Sequence, residues 1–329
     1  MKRLLTSGAA LLAVAAVALT GCSAEGAASG ESYPDRPISF SVGSEPGSGW
    51  DGTARALVEV MEREDAVPVQ VNVQNRPGSV GCVLLNDMIN KHADASNEIA
   101  MTSVPLQSME LRGMCDVNYK DVTVIARLLI ENFLVAVPAD SKYKDLDSLL
   151  EAIVKDPKSV PVAADGDDQL PLALLVEAAG GDPSSINFIA FESGGEYLTA
   201  LMNGDVLASV SGVTEYGPQI EAGELRGLAV LSEDRLEEPL ADIPTAVELG
   251  YDVTLNNWRG VYGPPNMPEE AVAYWESKLQ ELLQSDSWKE IADRNQWGTA
   301  YLAGDELDAF LEDSYTQLTS ALQSVGALK

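Results

Sequence analysis

The residues best placed to do chemistry near the start of the chain are Gly47-Ser-Gly-Trp-Asp-Gly52. They fit G-x-G-x-x-G, follow the strand-like RPISFSV, and precede a helical run from Thr53 to about Arg63. In that setting the pattern cradles the pyrophosphate of a dinucleotide. Three features oppose that chemistry here. Gly43-Ser44-Glu45-Pro46 separates the strand from the first glycine. The stretch about 20 residues on, where an acid would hold a ribose, is Gln70 to Asn75 and contains none. Asp51, inside the loop, would repel a pyrophosphate. What survives is the underlying physics. Converging backbone amides at the positive end of a helix dipole make an anion site, and a carboxylate suits it as well as a phosphate. The alternative is a tight turn with Asp51 or Thr53 capping the helix over 53–63. Both hold together, because a cap uses only some of the amides.

Loops of the same kind recur. Asp165-Gly-Asp-Asp-Gln169 joins a strand to a helix. Ser193-Gly-Gly-Glu196 does so again and is also a capping box, so it stands equally well as a helix start alone. SVSGVTEYG places Ser211, Gly212 and Thr214 at a further strand end. Catalytic machinery has little support. The sole histidine, His92, sits in the polar NKHAD and reads as a surface residue, which leaves Ser-His, Cys-His and zinc chemistry without a base or ligand set. A carboxylate-pair hydrolase is the alternative class, since acids abound, but nothing singles out a raised-pKa pocket acid.

These loops need elements to aim them. PISFSV leads to helix 53–63, VPVQVNVQN to the turn RPGSVG and a helix near 82–91, and EIAMTSV, ending on Ser103, to PLQSMELRG. VTVIARLLIENFLVAVPA reads as two strands or as one continuing between domains. KDLDSLLEAIVKDP is amphipathic; SVPVAA, INFIAFES, VLASVSGV and LRGLAVLS are strands, with helices after DGDDQ and over 196–203. The tail is mostly helical, over 268–284, 287–294 and 305–325. Such alternation predicts an α/β fold of two lobes, each a mostly parallel sheet flanked by helices, with the loops gathered at the carboxyl edges of the strands. The first lobe is placed at 33–133 plus 260–329 and the second at 134–259.

The chain begins with Lys2 and Arg3, then an uncharged apolar run over 4–20, the shape of an export signal too short for a membrane span of ~20 residues. Leu19-Thr20-Gly21-Cys22 resembles a bacterial lipobox, so 1–21 is read as a lipoprotein signal peptide, Cys22 as the lipidated residue and 22–32 as a flexible tether. With 51 acidic and 21 basic residues the formal charge is −30, which loss of Lys2 and Arg3 takes to −32. Nucleic acid is excluded as a partner, since phosphate binding needs a basic surface. Cys82 and Cys115 form an even pair in an exported chain and are read as one disulfide, with two buried free thiols as the alternative.

At these residues the chain resembles the substrate-binding subunit of the tripartite tricarboxylate transporters, from about Tyr33 to Lys329. YPDRPISFSVGSEPGSGWDGTARAL is similar to the family's opening and VNVQNRPGSVG to its Arg-Pro-Gly block. IAFESGGEYLTALMNGDV, IEAGELRGLAVLSEDR, DIPTAVELGYDV and NNWRGVYGPP follow in the family's order. Trp50 and NWRGV point to the tricarboxylate branch. The resemblance implies two lobes closing on a ligand, no catalysis and no cofactor. It implies a monomer that passes a small di- or tricarboxylate, or another carboxylate, to large and small membrane subunits, with a sensor lacking transport as the alternative. In the family, loop backbone and hydroxyls hold the carboxylate. Carried onto this chain, the ligand-binding set is Ser44, Ser48, Gly49, Asp51, Ser103, Gly166, Asp168, Ser193, Gly194, Ser211 and Thr214. Two departures stand out. Ser48 replaces a glycine, and Asp165, Asp167 and Asp168 bring up to three charges where the family has a hydroxyl- and glycine-rich loop, with Gln169 in place of a histidine. Asp165, Asp167 and Gln169 have 1-3-5 calcium spacing, but Leu170 and Val176 break the EF-hand pattern. Asp167 is therefore expected to face solvent and Asp168 to cap the next helix, with a bound cation bridging ligand and loop as the alternative. Trp258 is read as core packing or as part of the lobe junction, and Arg259 as partner to an anion or to one of the chain's acids.

Overall fold

Short β-branched runs and longer amphipathic ones alternate along the chain, and they fold as strands and helices in turn. The computed structural model describes residues 33–164, 166–191 and 194–329. The first third holds β1 (Ile38–Val42), α1 (Gly49–Arg63), β2 (Val71–Asn75), α2 (Cys82–Lys91), β3 (Glu98–Ser103) and α3 (Pro105–Leu111). The middle holds β4 (Thr123–Pro138), α4 (Leu146–Lys155), β5 (Pro161–Ala163), α5 (Gln169–Ala178), β6 (Asn187–Ile189), α6 (Gly194–Asn203), β7 (Ala208–Gly212), α7 (Val213–Glu221) and β8 (Leu225–Val230). The last part holds β9 (Asn256–Gly263), α8 (Glu269–Leu283), α9 (Asp286–Arg294), β10 (Gly298–Leu302) and α10 (Gly304–Ser324). The predicted leader, Cys22 and the tether lie outside the described residues. Among the described residues no helix is long and apolar enough to cross a membrane.

The strands run in the order β2-β1-β3-β9-β4-β7-β5-β6, with β8 and β10 also on β4. The two lobes are the two halves of this order. In the first, β1 pairs in parallel with β2 and β3; in the second, β5 pairs in parallel with β6 and β7. β4 resolves the choice between two strands and one. It is a single 16-residue strand whose first part, Thr123–Asn132, pairs with β9, and whose second, Phe133–Pro138, pairs with β7 and β8. The parallel order holds in the outer strands, whereas every pairing made by β4 and β9 is antiparallel. The sequence reading assigns no strand to β9 or β10. NNWRGVYG lacks apolar alternation, and it becomes a strand because β3 and β4 satisfy its backbone on both sides.

Three apolar clusters hold the halves. Trp275 and Trp288 are fully buried with Phe40 and Leu57 beneath the first sheet, under α1, α8 and α9. A second cluster joins α2, α3, α4, α5 and α10, and a third packs α6 and α7 on the second sheet. Burying each such side chain contributes about 1.5–3 kcal/mol. α10 touches both halves: Gln107 of α3 donates to the Leu311 carbonyl at 2.7 Å, and Ser324 donates to Glu177 of α5 at 2.9 Å. A disulfide joins Cys82, which opens α2, to Cys115, which follows α3, with Cα atoms 5.8 Å apart.

Candidate functional site

The carboxyl ends of β1 and β3 face those of β5 and β7 across a cavity of about 520 Å³. That size suits a small metabolite. The β1–α1 loop forms one wall. Gly47 turns the chain at φ 86°, Ser48 is extended at φ −72° and ψ 165°, and helix geometry starts at Gly49. α1 thus begins four residues earlier than the expected Thr53, and the expected cap is corrected. Ser48 is the N-cap, accepting from the Asp51 amide at 3.3 Å. Asp51 is turned beneath the loop, where it accepts from the Gly47 amide at 2.9 Å and from Asn75 at 3.0 Å and pairs with Arg55 at 2.9 Å. Burial works to raise its pKa, but the Arg55, Gly47 and Asn75 hydrogen bonds outweigh it, and the carboxyl titrates below the usual range. Helix geometry leaves the Gly49 and Trp50 amides without intrahelical acceptors at the cavity edge. Ser44 and Ser48 share a hydroxyl hydrogen bond of 2.5 Å, and the Trp50 indole donates to Ser103 at 2.9 Å.

The turn after β2 supplies a part of the wall that the sequence reading did not single out. Gly78, Ser79, Val80 and Gly81 all have positive φ, of 147°, 48°, 54° and 93°. A β-branched Val80 there is strained by about 1–3 kcal/mol, and such strain collects at ligand-holding loops. Val80 reaches toward Gly166 on the opposite wall, and Pro77 to Val80 all line the cavity.

A buried ion pair closes the base. Arg259 of β9 is 3% exposed and Glu131 of β4 is 0% exposed; their side chains pair directly. The Arg259 guanidinium also donates to the Gly49 carbonyl at 2.5 Å and to the Thr53 hydroxyl, while Glu131 accepts from the Thr214 amide at 3.2 Å. One pair therefore touches the first turn of α1 and the first turn of α7. Gly49 and Gly212 make this possible. A Cβ on Gly49 would stand 2.5 Å from the Arg259 Nη2, and one on Gly212 would stand 2.5 Å from the Glu131 carboxyl carbon. Of the two readings of Arg259, the structure shows the pair with an acid, although the residue also lines the cavity. Trp258 is packed, 1% exposed and edge-on to Phe310.

The second wall carries Gly166, Asp168, Ser211 and Glu215, with Phe133, Phe191 and Tyr197 as its apolar part. Neither aspartate takes its expected role. Asp167 is buried rather than solvent-facing, because Ser108 of α3 donates to it at 2.5 Å and Arg112, just past the end of α3, pairs with it at 3.4 Å. Asp168 makes no capping hydrogen bond to α5 and accepts instead from Ser211 at 3.1 Å. Burial, then the nearby Glu215 charge, push the Asp168 carboxyl well above its usual range. Burial and the Glu131 charge raise Glu215 likewise.

Of the predicted ligand-binding residues, Ser44, Ser48, Gly49, Ser103, Gly166, Asp168 and Ser211 come together on the cavity wall. Asp51 lies beneath it. Thr214 is turned away, its hydroxyl donating to the Asn295 carbonyl at 3.2 Å and accepting from Trp297 at 2.8 Å. Ser193 and Asp165 lie outside the described residues, and Gly194 opens α6. Glu215, the Pro77–Val80 turn and the aromatic Phe133, Phe191 and Tyr197 are wall residues that were not anticipated. Glu215 follows Thr214 in the first turn of α7, where the helix rotates it toward the cavity.

Comparison with known proteins agrees with this geometry. A family model described as "Tripartite tricarboxylate transporter family receptor" matches residues 53–326. Protein BugT of Bordetella pertussis strain Tohama I is 26% identical over 324 residues, spanning 96% of this chain and 98% of that protein. The periplasmic binding protein BugD superposes with a TM-score of 0.82 at 21% identity, over 90% of this chain and 100% of that one. R. palustris Rpa4515, solved with adipate, superposes with a TM-score of 0.81 at 19% identity, over 89% and 98%. These likenesses show a two-lobed periplasmic-binding-protein fold with its cleft between the lobes. The chain belongs to the tripartite tricarboxylate transporter receptor family and is a solute-binding receptor, not an enzyme.

Proposed function

We propose that the chain is an extracytoplasmic lipoprotein that closes on a small carboxylate-bearing metabolite and delivers it to the large and small membrane subunits of a transporter. The observation that carries the ligand class is the start of α1 at the cavity edge, with two amides free of intrahelical acceptors flanked by the Ser44, Ser48 and Ser103 hydroxyls. A helix N-terminus favours an anion by about 0.3–1 kcal/mol, and by up to ~2 kcal/mol when partly buried. Rpa4515 was solved with adipate, which supports extending a carboxylate ligand to this chain. The leader, with Cys22 at its end, supports export and lipidation. Lobe boundaries at 33–133 plus 260–329 and at 134–259 make β4 and β9 the hinge, around which the lobes shut.

A thermal-shift screen of the purified protein against small organic acids tests the ligand class. A cognate carboxylate raises the midpoint by mass action, by about 2.7 kcal/mol of stability at a hundredfold excess over Kd. A screen in which no carboxylate moves the midpoint would remove this reading.

A further inference from the structure

The second wall is unusual for a cleft that must admit an anion. Asp168 and Glu215 both line it, and among the described residues no arginine or lysine pairs with either. Arg112 is committed to Asp167, and the Arg259 guanidinium to Glu131. Both carboxylates converge on the Ser211 hydroxyl, at 3.1 Å from Asp168 and in direct contact with Glu215. One hydroxyl has one hydrogen, so it cannot donate to both. Across the base the shortage is reversed. The Arg259 Nε, on a side chain 3% exposed that lines the cavity, has no acceptor among the described residues. The cleft therefore lacks an acceptor at one point and, at another, a cation in direct contact with its two carboxylates, since the Arg259 charge acts on Glu215 without pairing with it.

We propose that the solute is an organic acid that also carries a protonated amine, its carboxylate at the Gly49 and Trp50 amides and the Arg259 Nε and its ammonium between Asp168 and Glu215. This rests on the carboxylate reading above and narrows it. An ammonium has three donors and no acceptor, which matches two carboxylates sharing one hydroxyl hydrogen. A plain dicarboxylate would bring a second negative charge against that wall. Among the described residues no three His, Cys, Asp or Glu side chains are grouped to hold a metal ion in place of the amine. Burial first, then the Glu215 charge on Asp168 and the Glu131 charge on Glu215, hold both carboxyls above their usual range, with the Arg259 charge partly offsetting the rise at Glu215.

The test is isothermal titration at about pH 7.5 in EDTA with four six-carbon acids: hexanoate, adipate, 6-aminohexanoate and 2-aminohexanoate. The proposal expects one of the amino acids to bind at least about 10-fold more tightly than hexanoate and adipate. It also expects that advantage to vanish in Asp168→Asn/Glu215→Gln, with folding checked by near-ultraviolet circular dichroism. If hexanoate or adipate binds as tightly as the tighter-binding amino acid, the proposal falls and the carboxylate reading stands. If the advantage persists in the double variant, its assignment to this pair is overturned. Adipate binding that tightens on replacing EDTA with Ca²⁺ would put a metal ion where the amine is placed, and would also overturn it. If none of the four acids binds, the proposal falls, and the carboxylate reading is decided by the wider thermal-shift screen. The wild-type series decides the matter even if the double variant fails to fold.

Discussion

At the scale of the residue, the Glu131–Arg259 pair is the most exacting contact in the chain, because it is dry and serves both walls of the cleft. Removing one partner of a buried pair strands the other charge. Glu131→Ala should therefore cost about 3–5 kcal/mol in urea-induced unfolding, and replacing both residues by apolar ones of similar volume should cost clearly less. A Glu131→Ala cost below about 1 kcal/mol would show that water reaches the pair. Several cavity-wall residues were legible one at a time. Ser48, Gly49 and Ser211 follow from loop chemistry at strand ends. Asp167 and Asp168 were not, because Asp167 depends on Ser108 of α3 and on Arg112 just past it, and Asp168 on Ser211, all distant in sequence. Local capping rules cannot see a partner 59 residues away.

At the scale of the element, the helices were read closely because their apolar periodicity is local; α2 begins and ends where the pattern places it. β9 was missed because its sequence is polar at one end and its strand character comes from neighbours on both sides. The start of α1 was misplaced because Ser48, Gly49 and Trp50 carry no helical pattern, and only the turn at Gly47 reveals them as the first turn. The bridge between Cys82 and Cys115 closes a span of 33 residues and ties α2 to the loop bearing Met114, which lies at the cleft. Its reduction should lower stability by about 3–4 kcal/mol if the cross-link acts by restricting the unfolded chain. Equilibrium unfolding with and without reductant checks this, and coincident curves would contradict it.

At the scale of the whole molecule, charge sets the pH response. Asp168 and Glu215 are raised in the folded state, so they cost nothing at low pH, where both folded and unfolded forms are protonated. Their cost grows as pH climbs above the ordinary carboxylate value and levels off beyond their raised values. Asp51 and Asp87 are lowered and act oppositely, stabilising above the ordinary value and losing that contribution as pH falls through their lowered ones. The ligand-free protein should therefore melt higher at about pH 5.5 than at about pH 7.5 by calorimetry, and Asp168→Asn/Glu215→Gln should flatten that difference. An unchanged slope would assign it to the general excess of acid, formally −30 for the chain. The central claim is that the first turn of α1 is one jaw of a carboxylate clamp. It is tested most directly by titrating the acid found in the thermal-shift screen into wild type and into Gly49→Leu, whose side chain would enter the space of the Arg259 guanidinium. The account predicts one site per wild-type chain and at least a hundredfold loss of affinity in a variant that still folds; equal affinity in the two proteins would contradict it.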